Sequence, residues 1–435
     1  MSYTIKEVST TRHKESRNIE NVLVMQGGGS LGAFACGVYK ALAKHKVQID
    51  IVAGTSIGAV NAAIIVGSKS GHPEKDLEDF WLEIGESSLE VIPDLWGYGW
   101  DRRARMYVPK SISSASINAA FFGVPKMFVP RWQWWNTSKN FHGTMGGLDE
   151  QYFDPRNWTF IYDHTPLIGT LEKYIDYKKL NLAATKEELP SVLRLIITAV
   201  DVITAKPLIF DNTLMKIKPE HILASSGYPI YGFPWIDLGN NVKAWDGSLL
   251  SNTPIREVLY VSPRNDKNIF IVENYPQRID RLPSNYVEVV NRYKDILFCD
   301  KDIESIKMAR LVTRHIKLIE KLYEIFERQV DHSMLSKHEK NNIQSEYKDL
   351  IEKYGAEIKS VTRIIRSEIE SPSILKNSDF SSNTIKDLIN QGERKTEIKL
   401  RDLDSKNLDS KGYFKILIRF KKARTRYFPN IVLSS

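Results

Sequence analysis

Cysteine is nearly absent from this chain: two in 435 residues, Cys36 and Cys299. Two cysteines cannot build a disulfide framework, so a reducing compartment is the natural expectation. Metal-site spacing is lacking as well, because no His, Cys or Asp cluster recurs at ligand intervals. The first twenty residues carry charges but no apolar core, and no signal peptide is expected from them. Long hydrophobic runs are missing with one exception. Ile51 to Ser68 holds 18 residues without a charge, the minimum for a membrane-spanning helix. That stretch contains a glycine–serine turn and Asn61, which favours a buried strand followed by a buried helix. No internal repeat appears. These absences suit a cytoplasmic protein, peripheral to a membrane if it meets one at all.

What is present is globular. The chain is 42% hydrophobic and 26% charged, and its length suits one large domain with a smaller appendage. Apolar runs at Val22–Met25, Ile49–Ala53, Val192–Val200, Pro207–Phe210 and Asn268–Glu273 alternate with helix-like stretches. That order predicts an α/β sheet flanked by helices.

The first two runs each end in a glycine-rich turn that opens a helix. Gly54-Thr55-Ser56-Ile57-Gly58 has the Gly-x-Ser-x-Gly form, in which a sharp strand-to-helix turn exposes a serine Oγ. Gly54 and Gly58 are required because side chains beside such a turn have no room. Gly27-Gly28-Gly29-Ser30-Leu31-Gly32 offers a row of backbone N–H groups at a helix start, suited to a developing oxyanion. The same segment fits the dinucleotide fingerprint, with Asp50 near the expected acidic position. Asp50 lies inside a run that continues to Ser56, however, and a nucleotide site has no use for a second glycine elbow. Together the pair points to acyl transfer.

A serine nucleophile needs a base. Of nine histidines only His315, His332 and His338 follow a plausible acid, and all three lie in a charged, helix-patterned region. The other candidate is Asp246, ahead of Gly247 in a turn that closes a short apolar run, although an Asp-Gly pair can be simply a turn.

Taken in order, Gly27-Gly28-Gly29 with Gly32, Gly54-Thr55-Ser56-Ile57-Gly58, His221-Ile222-Leu223-Ala224-Ser225-Ser226, and Asp246-Gly247 with Asn252-Thr253-Pro254 resemble the patatin-like acyl hydrolases. The resemblance spans residues 18 to 275. It implies a Ser–Asp dyad with Ser56 as nucleophile, Asp246 as base and no histidine, and an oxyanion hole from the Gly27, Gly28 and Gly29 amides; no cofactor is expected. Leu31 stands where the family usually has Arg or Lys, and Ser248 where it usually has Gly. Tyr162-Asp163-His164-Thr165-Pro166-Leu167 and the extension after residue 275 are similar to a bacterial subgroup with an uncharacterised C-terminal helical region. The expected fold is therefore a patatin-like sheet flanked by helices, with a helical C-terminal extension.

The domain plan that follows is a flexible N-terminus (1–17), a catalytic domain (18–275), a helical region (276–366), and a linker with a basic tail (367–435). Between Met308 and Val330 apolar residues recur every three or four positions, an amphipathic helix for the body or for a partner. The net charge of +8 is concentrated at the end, from Lys411 to Arg426. That end reads as a solvated tail or as attraction to an anionic membrane; nucleic acid is not expected. Seven of the nine tryptophans fall between residues 81 and 158. Either they cap the core, or they form a lid that meets lipid through Phe121, Phe122, Trp132, Trp134 and Trp135.

The expected function is hydrolysis of a lipid carboxylic ester through an acyl-enzyme, with phospholipid or lysophospholipid favoured. The alternatives are an esterase, thioesterase or polyester hydrolase on other acyl substrates, and a catalytically silent membrane-binding protein of the same fold. Nothing in the sequence sets the oligomeric state.

Overall fold

The computed structural model describes residues 19–88, 98–101, 106–109, 114–131, 158–182, 193–263, 265–284, 286–299, 303–329, 336–354, 356–366 and 376–408. The expected flexible N-terminus, Trp132, Trp134, Trp135 and the basic run after Lys411 lie outside them.

β1 (Ile19–Met25) runs into a single 3-10 turn (Gly29–Gly32) and then α1 (Ala33–Lys44). β2 (Ile51–Thr55) enters α2 (Ile57–Val66), and α3 (Pro73–Ser87) follows. β3 (Tyr98–Asp101) pairs with β4 (Met106–Pro109) ahead of α4 (Ser114–Phe122). β5 (Val129–Pro130) pairs with β6 (Tyr162–Asp163), and α5 (Pro166–Tyr174) and α6 (Tyr177–Leu180) come next. β7 (Arg194–Asp201) and β8 (Pro207–Asp211) form a hairpin before α7 (Pro219–Ser226). β9 (Ile236–Asp237), β10 (Lys243–Asp246), α8 (Ile255–Val261) and β11 (Asp266–Glu273) complete the region read as catalytic. Beyond it lie α9 (Tyr286–Phe298), α10 (Ile303–Gln329), α11 (Lys337–Tyr354), β12 (Ile358–Ile365) and α12 (Ser382–Leu408).

The main sheet has eight strands in the order β12-β11-β1-β2-β7-β10-β9, with β8 on the remaining edge of β7. β12, β11, β1, β2 and β7 are parallel; β8, β9 and β10 run against their neighbours. Strand alternation divides the apolar runs between two cores. Leu23, Met25, Val52, Leu195 and Ile197 point to one face, against α1, α2 and α3. Val22, Val24, Ile51, Ala53 and Ile196 point to the other, where α8 and α10 contribute Ile255, Val258 and Ile306. The uncharged stretch from Ile51 to Ser68 divides into β2 and α2 as expected. Among the described residues no helix is long and apolar enough to cross a membrane.

Two findings revise the plan for the second half. Residues 276–366 include β12, which adds a parallel edge to β11 from Lys267↔Ile358 to Glu273↔Ile365. Its Ile, Val and Thr residues favour a pleated, half-buried surface over a helix. The part read as linker and tail contains α12, a 27-residue helix. Ile385, Leu388 and Ile389 bury one stripe of it against α1, while its many charges face outward. The two helices touch through backbone: a Cβ on Gly37 would lie 1.8 Å from Ile389 O, and one on Gly392 would lie 2.1 Å from Phe34 O. Lys44 reaches across to Glu397 at 2.7 Å.

Candidate active site

β2 delivers Ser56 into the mouth of a cavity on a turn that few residues adopt. Ser56 has φ 57° and ψ −130°, on the left-handed side of the map that normally disfavours a side chain. Close packing holds it there. A Cβ on Gly54 would come within 2.1 Å of Gly58 O, and one on Gly58 within 2.3 Å of Met25 O. The Ser56 N–H donates to Ser225 Oγ (3.0 Å), which in turn donates to Thr198 O (2.7 Å). The Gly-x-Ser-x-Gly reading thus has its local geometry: β2, a strained serine, then α2.

Sheet register brings Asp246 to the same place. β8 occupies one edge of β7, so β2 and β10 share the other, end to end. β2 stops at Thr55↔Thr198, and β10 takes over at Asp246↔Ala199, one position further along β7. A residue leaving β2 therefore meets the last residue of β10. Asp246 is completely buried, its Oδ1 accepts the Ser248 N–H at 2.8 Å, and its Oδ2 has no hydrogen-bond partner among the described residues. Burial pushes the Asp246 carboxyl up to about 6; the Ser56 hydroxyl and Ser248 pull the other way. Gly247 has no space for a side chain, because a Cβ there would lie 2.6 Å from Thr198 O. Ser248 has room, and its hydroxyl donates to Asn252 Oδ1 at 3.0 Å.

The glycine loop is pinned from beneath. Asn274 donates through Nδ2 to Gln26 O (3.2 Å) and Gly27 O (3.1 Å), and Gln26 Nε2 donates to Thr253 Oγ1 (2.8 Å). Asn252 Oδ1 also accepts the Gly27 N–H at 3.1 Å, while its Nδ2 donates to Phe298 O at 2.8 Å. The amides of Gly28 and Gly29 take no part in these bonds. Gly29, at φ 59°, lies so near the C-terminal segment that a Cβ would stand 2.3 Å from Asn377 O. Leu31 is buried, so this position meets core and not an anionic group.

Ser56, Asp246 and the three glycines line a mainly apolar cavity of about 190 Å³ whose walls include Val60, Met127, Phe128, Leu167, Phe233 and Phe380. Sequence reading missed Phe128, Tyr275, Phe298, Asn377 and Phe380, all of which line it. The last two come from a short turn (Lys376–Ser378) and the residues after it, far along the chain from the glycine and serine motifs they pack beside. Lys376 is clamped to Asp295 at 2.6 Å, and Ser30 Oγ donates to Lys376 O at 3.2 Å. Only the aromatic character of Phe380 could have hinted at this, and it stands in a Ser- and Asn-rich stretch.

Among the histidines, His164 lines the cavity, but its Nε2 pairs with Leu223 O at 3.2 Å and burial lowers its pKa. His315 is exposed on α10. Phe121 on α4 is 58% exposed and Phe122 half-buried, just past Ala119 and Ala120 of the cavity wall. Trp81, from the aromatic-rich insert, is fully buried and donates to Asn61 Oδ1 at 3.0 Å. That ring belongs to the core. Among the described residues no three His, Cys, Asp or Glu side chains gather as metal ligands do.

Comparison with known proteins adds a family. Residues 23–259 match the family model described as patatin-like phospholipase. The chain is 47% identical over 60 residues to the triacylglycerol lipase SDP1L of Arabidopsis thaliana, covering 14% of this chain and 7% of that protein. It is 37% identical over 78 residues to a putative patatin-like phospholipase domain-containing protein of Caenorhabditis elegans, covering 18% of this chain and 7% of the other. A lysophospholipase, NTE1 of Meyerozyma guilliermondii, is 35% identical over 89 residues, covering 18% and 6%. The chain thus spans less than a tenth of the length of these relatives. Among solved structures, VipD from Legionella pneumophila aligns with a TM-score of 0.31 at 11% identity, over 86% of this chain and 67% of that one. With a family model matched over more than half its length, the chain belongs to the patatin-like phospholipase family.

Proposed function

We propose that this protein hydrolyses carboxylic esters of lipids, phospholipids or lysophospholipids foremost, with Ser56 as nucleophile and Asp246 as its base. One observation carries the reading: a strained serine and a fully buried carboxylate with an open oxygen line the same, mainly apolar cavity. Serine is unreactive until a base takes its proton, and a positioned carboxylate can do so as attack begins. Ionised Asp246 accepts the Ser56 hydroxyl proton while Oγ bonds to the ester carbonyl carbon. The carbonyl oxygen gains negative charge, which backbone N–H groups at the loop stabilise. Gly27 already gives its amide to Asn252, which leaves Gly28 and Gly29 as the favoured donors. Protonated Asp246 then returns the proton to the departing alkoxide. The same carboxylate next takes a proton from water as its oxygen bonds to the acyl carbon, and gives that proton to Ser56 Oγ as the Oγ–C bond breaks and the acid is released.

An apolar wall suits an acyl chain, and the lipase and lysophospholipase among the relatives support a lipid ester. Exposed Phe121 and its neighbour Phe122, beside the cavity, are the part of the suggested lipid contact within the described residues. The test is twofold. A fluorophosphonate probe should label the protein and lose its target in Ser56→Ala. Liposomes of mixed lipids should release free fatty acid, identified by mass spectrometry. A folded protein that neither labels at Ser56 nor releases acid overturns the reading.

A further inference from the structure

α10 packs against the body with only one face. Ile306 and Ile316 are buried, Thr313 Oγ1 donates to Ala356 O (3.2 Å), and the Tyr323 ring stacks on Tyr347 of α11 at 3.9 Å. The opposite face carries Leu311, Leu318, Leu322 and Ile325, with Met308 at its edge beside Leu259 and Tyr354, each of the five 45 to 59% exposed. With His315 these positions step by three and four residues, so they form one stripe along the helix. Helical spacing places Lys307, Arg310, Arg314, Lys321 and Arg328, all exposed, along one border of that stripe. Glu320, Glu324 and Glu327 fall on the arc turned toward α11 and the body. A single exposed leucine is ordinary; five in register beside a basic row call for a partner.

Charge selects the partner. In an antiparallel pair of such helices the basic row of one copy meets the basic row of the other. In a parallel pair it meets Val312, Ile319 and Phe326, again without an acid. The chain's own segment beyond Leu408 is no better suited, since Lys411, Lys415, Arg419, Lys421 and Lys422 carry the same sign. What matches is an apolar layer beneath an anionic one. Leu, Ile and Met sink to the acyl boundary, while Lys and Arg extend to the phosphates. We propose that the exposed face of α10 docks this protein on an anionic lipid bilayer. The proposal deepens the lipid-hydrolase reading by naming the surface where substrate is met, and rests on that reading for its purpose.

The experiment uses the full chain with Ser56→Ala, so that lipid is not consumed. It is sedimented with vesicles of phosphatidylcholine alone or with one third phosphatidylglycerol. Binding is expected on the anionic vesicles only, weakening as salt rises. Leu318→Gln, Leu322→Gln and Ile325→Gln together should lower it about tenfold or more. Arg314→Glu with Lys321→Glu should remove the preference for phosphatidylglycerol. In the Ser56 background the triple variant should cleave a short water-soluble ester as the parent does, which verifies that it folds. If the parent cleaves no ester yet still binds vesicles, the hydrolase reading fails and the docking face stands. Unchanged vesicle binding by the triple variant overturns the proposal. So does a triple variant that merely converts a dimer to a monomer in sedimentation velocity, which would make the stripe a contact between copies.

Discussion

Asp246 is asked to be a base in a place where charge is costly. With its carboxyl raised to about 6 by burial, it loses its proton only above that pH. Under the proposed dyad kcat/KM should therefore rise through an ascending limb near pH 6, measured with a soluble ester. The stability consequence has the opposite sign. A carboxyl raised from 3.8 to about 6 favours the folded state while protonated, and that favour is lost as pH rises through about 6. The gap corresponds to about 3 kcal/mol. Asp246→Asn should then melt at a higher temperature than the parent at pH 8, with the difference shrinking below pH 6 and vanishing near 4, while activity drops by orders of magnitude. Equal melting of the two proteins at pH 8 would falsify this account of Asp246. Trp81 belongs to a different class of residue. Fully buried with its N–H on Asn61, it should cost about 3–5 kcal/mol when cut to alanine, read by denaturant unfolding.

At the scale of elements, the contact between α1 and α12 is the most demanding in the fold. Gly37→Val or Gly392→Val puts a branched side chain into a partner's backbone, which no rotamer relieves. Overpacking usually costs about 1–3 kcal/mol, and a backbone clash belongs at or beyond that upper end. Thermal scans should show a large fall in Tm for either variant, and Gly392→Ala a smaller one.

This contact also marks where the sequence stops being legible. β1, β2 and β7 could be read because each is a dense apolar run bounded by turn residues. Ser56 could be named as a candidate because a glycine elbow is a local signature, whereas Asp246, in what can be simply an Asp-Gly turn, is a candidate base that only the family resemblance singles out. Local signals say nothing about which amides remain available, so Gly27 looked equivalent to Gly28 and Gly29 until Asn252 took its N–H. β12 follows two charged helices, and its Lys359 and Arg363 mask the β-branched residues between them. α12 was hidden in the same way, because Ile385, Leu388 and Ile389 are outnumbered by charges. Asn377 gave no signal at all, and the one aromatic ring of Phe380 was lost in a Ser- and Asn-rich stretch. Their place at the site is a product of how α12 folds back.

For the molecule as a whole, the region matched to the family ends well before the residues that finish the cavity. Removing everything after residue 375 leaves residues 23–259 intact but takes away Phe380, Asn377 and the helix behind α1. Such a protein should bare a large apolar face, seen as dye binding and aggregation, and under the proposed function lose ester hydrolysis. A gentler change, Phe380→Ala, should keep the fold and shift the preferred acyl length upward, measured on a series of esters of increasing chain length.

The clamp from Lys376 to Asp295 and the insertion of Phe380 into the cavity wall also have a meaning in time. A chain emerging from the ribosome folds from its beginning, so the serine elbow and the strands beside it, β1, β2 and β7, are made long before the segment that completes the cavity wall. Until that segment arrives, the pocket lacks a wall and the glycine loop lacks its backing. Under the proposed chemistry a half-made molecule would carry its serine without a chamber to use it in, and ester cleavage would wait until synthesis has passed α12.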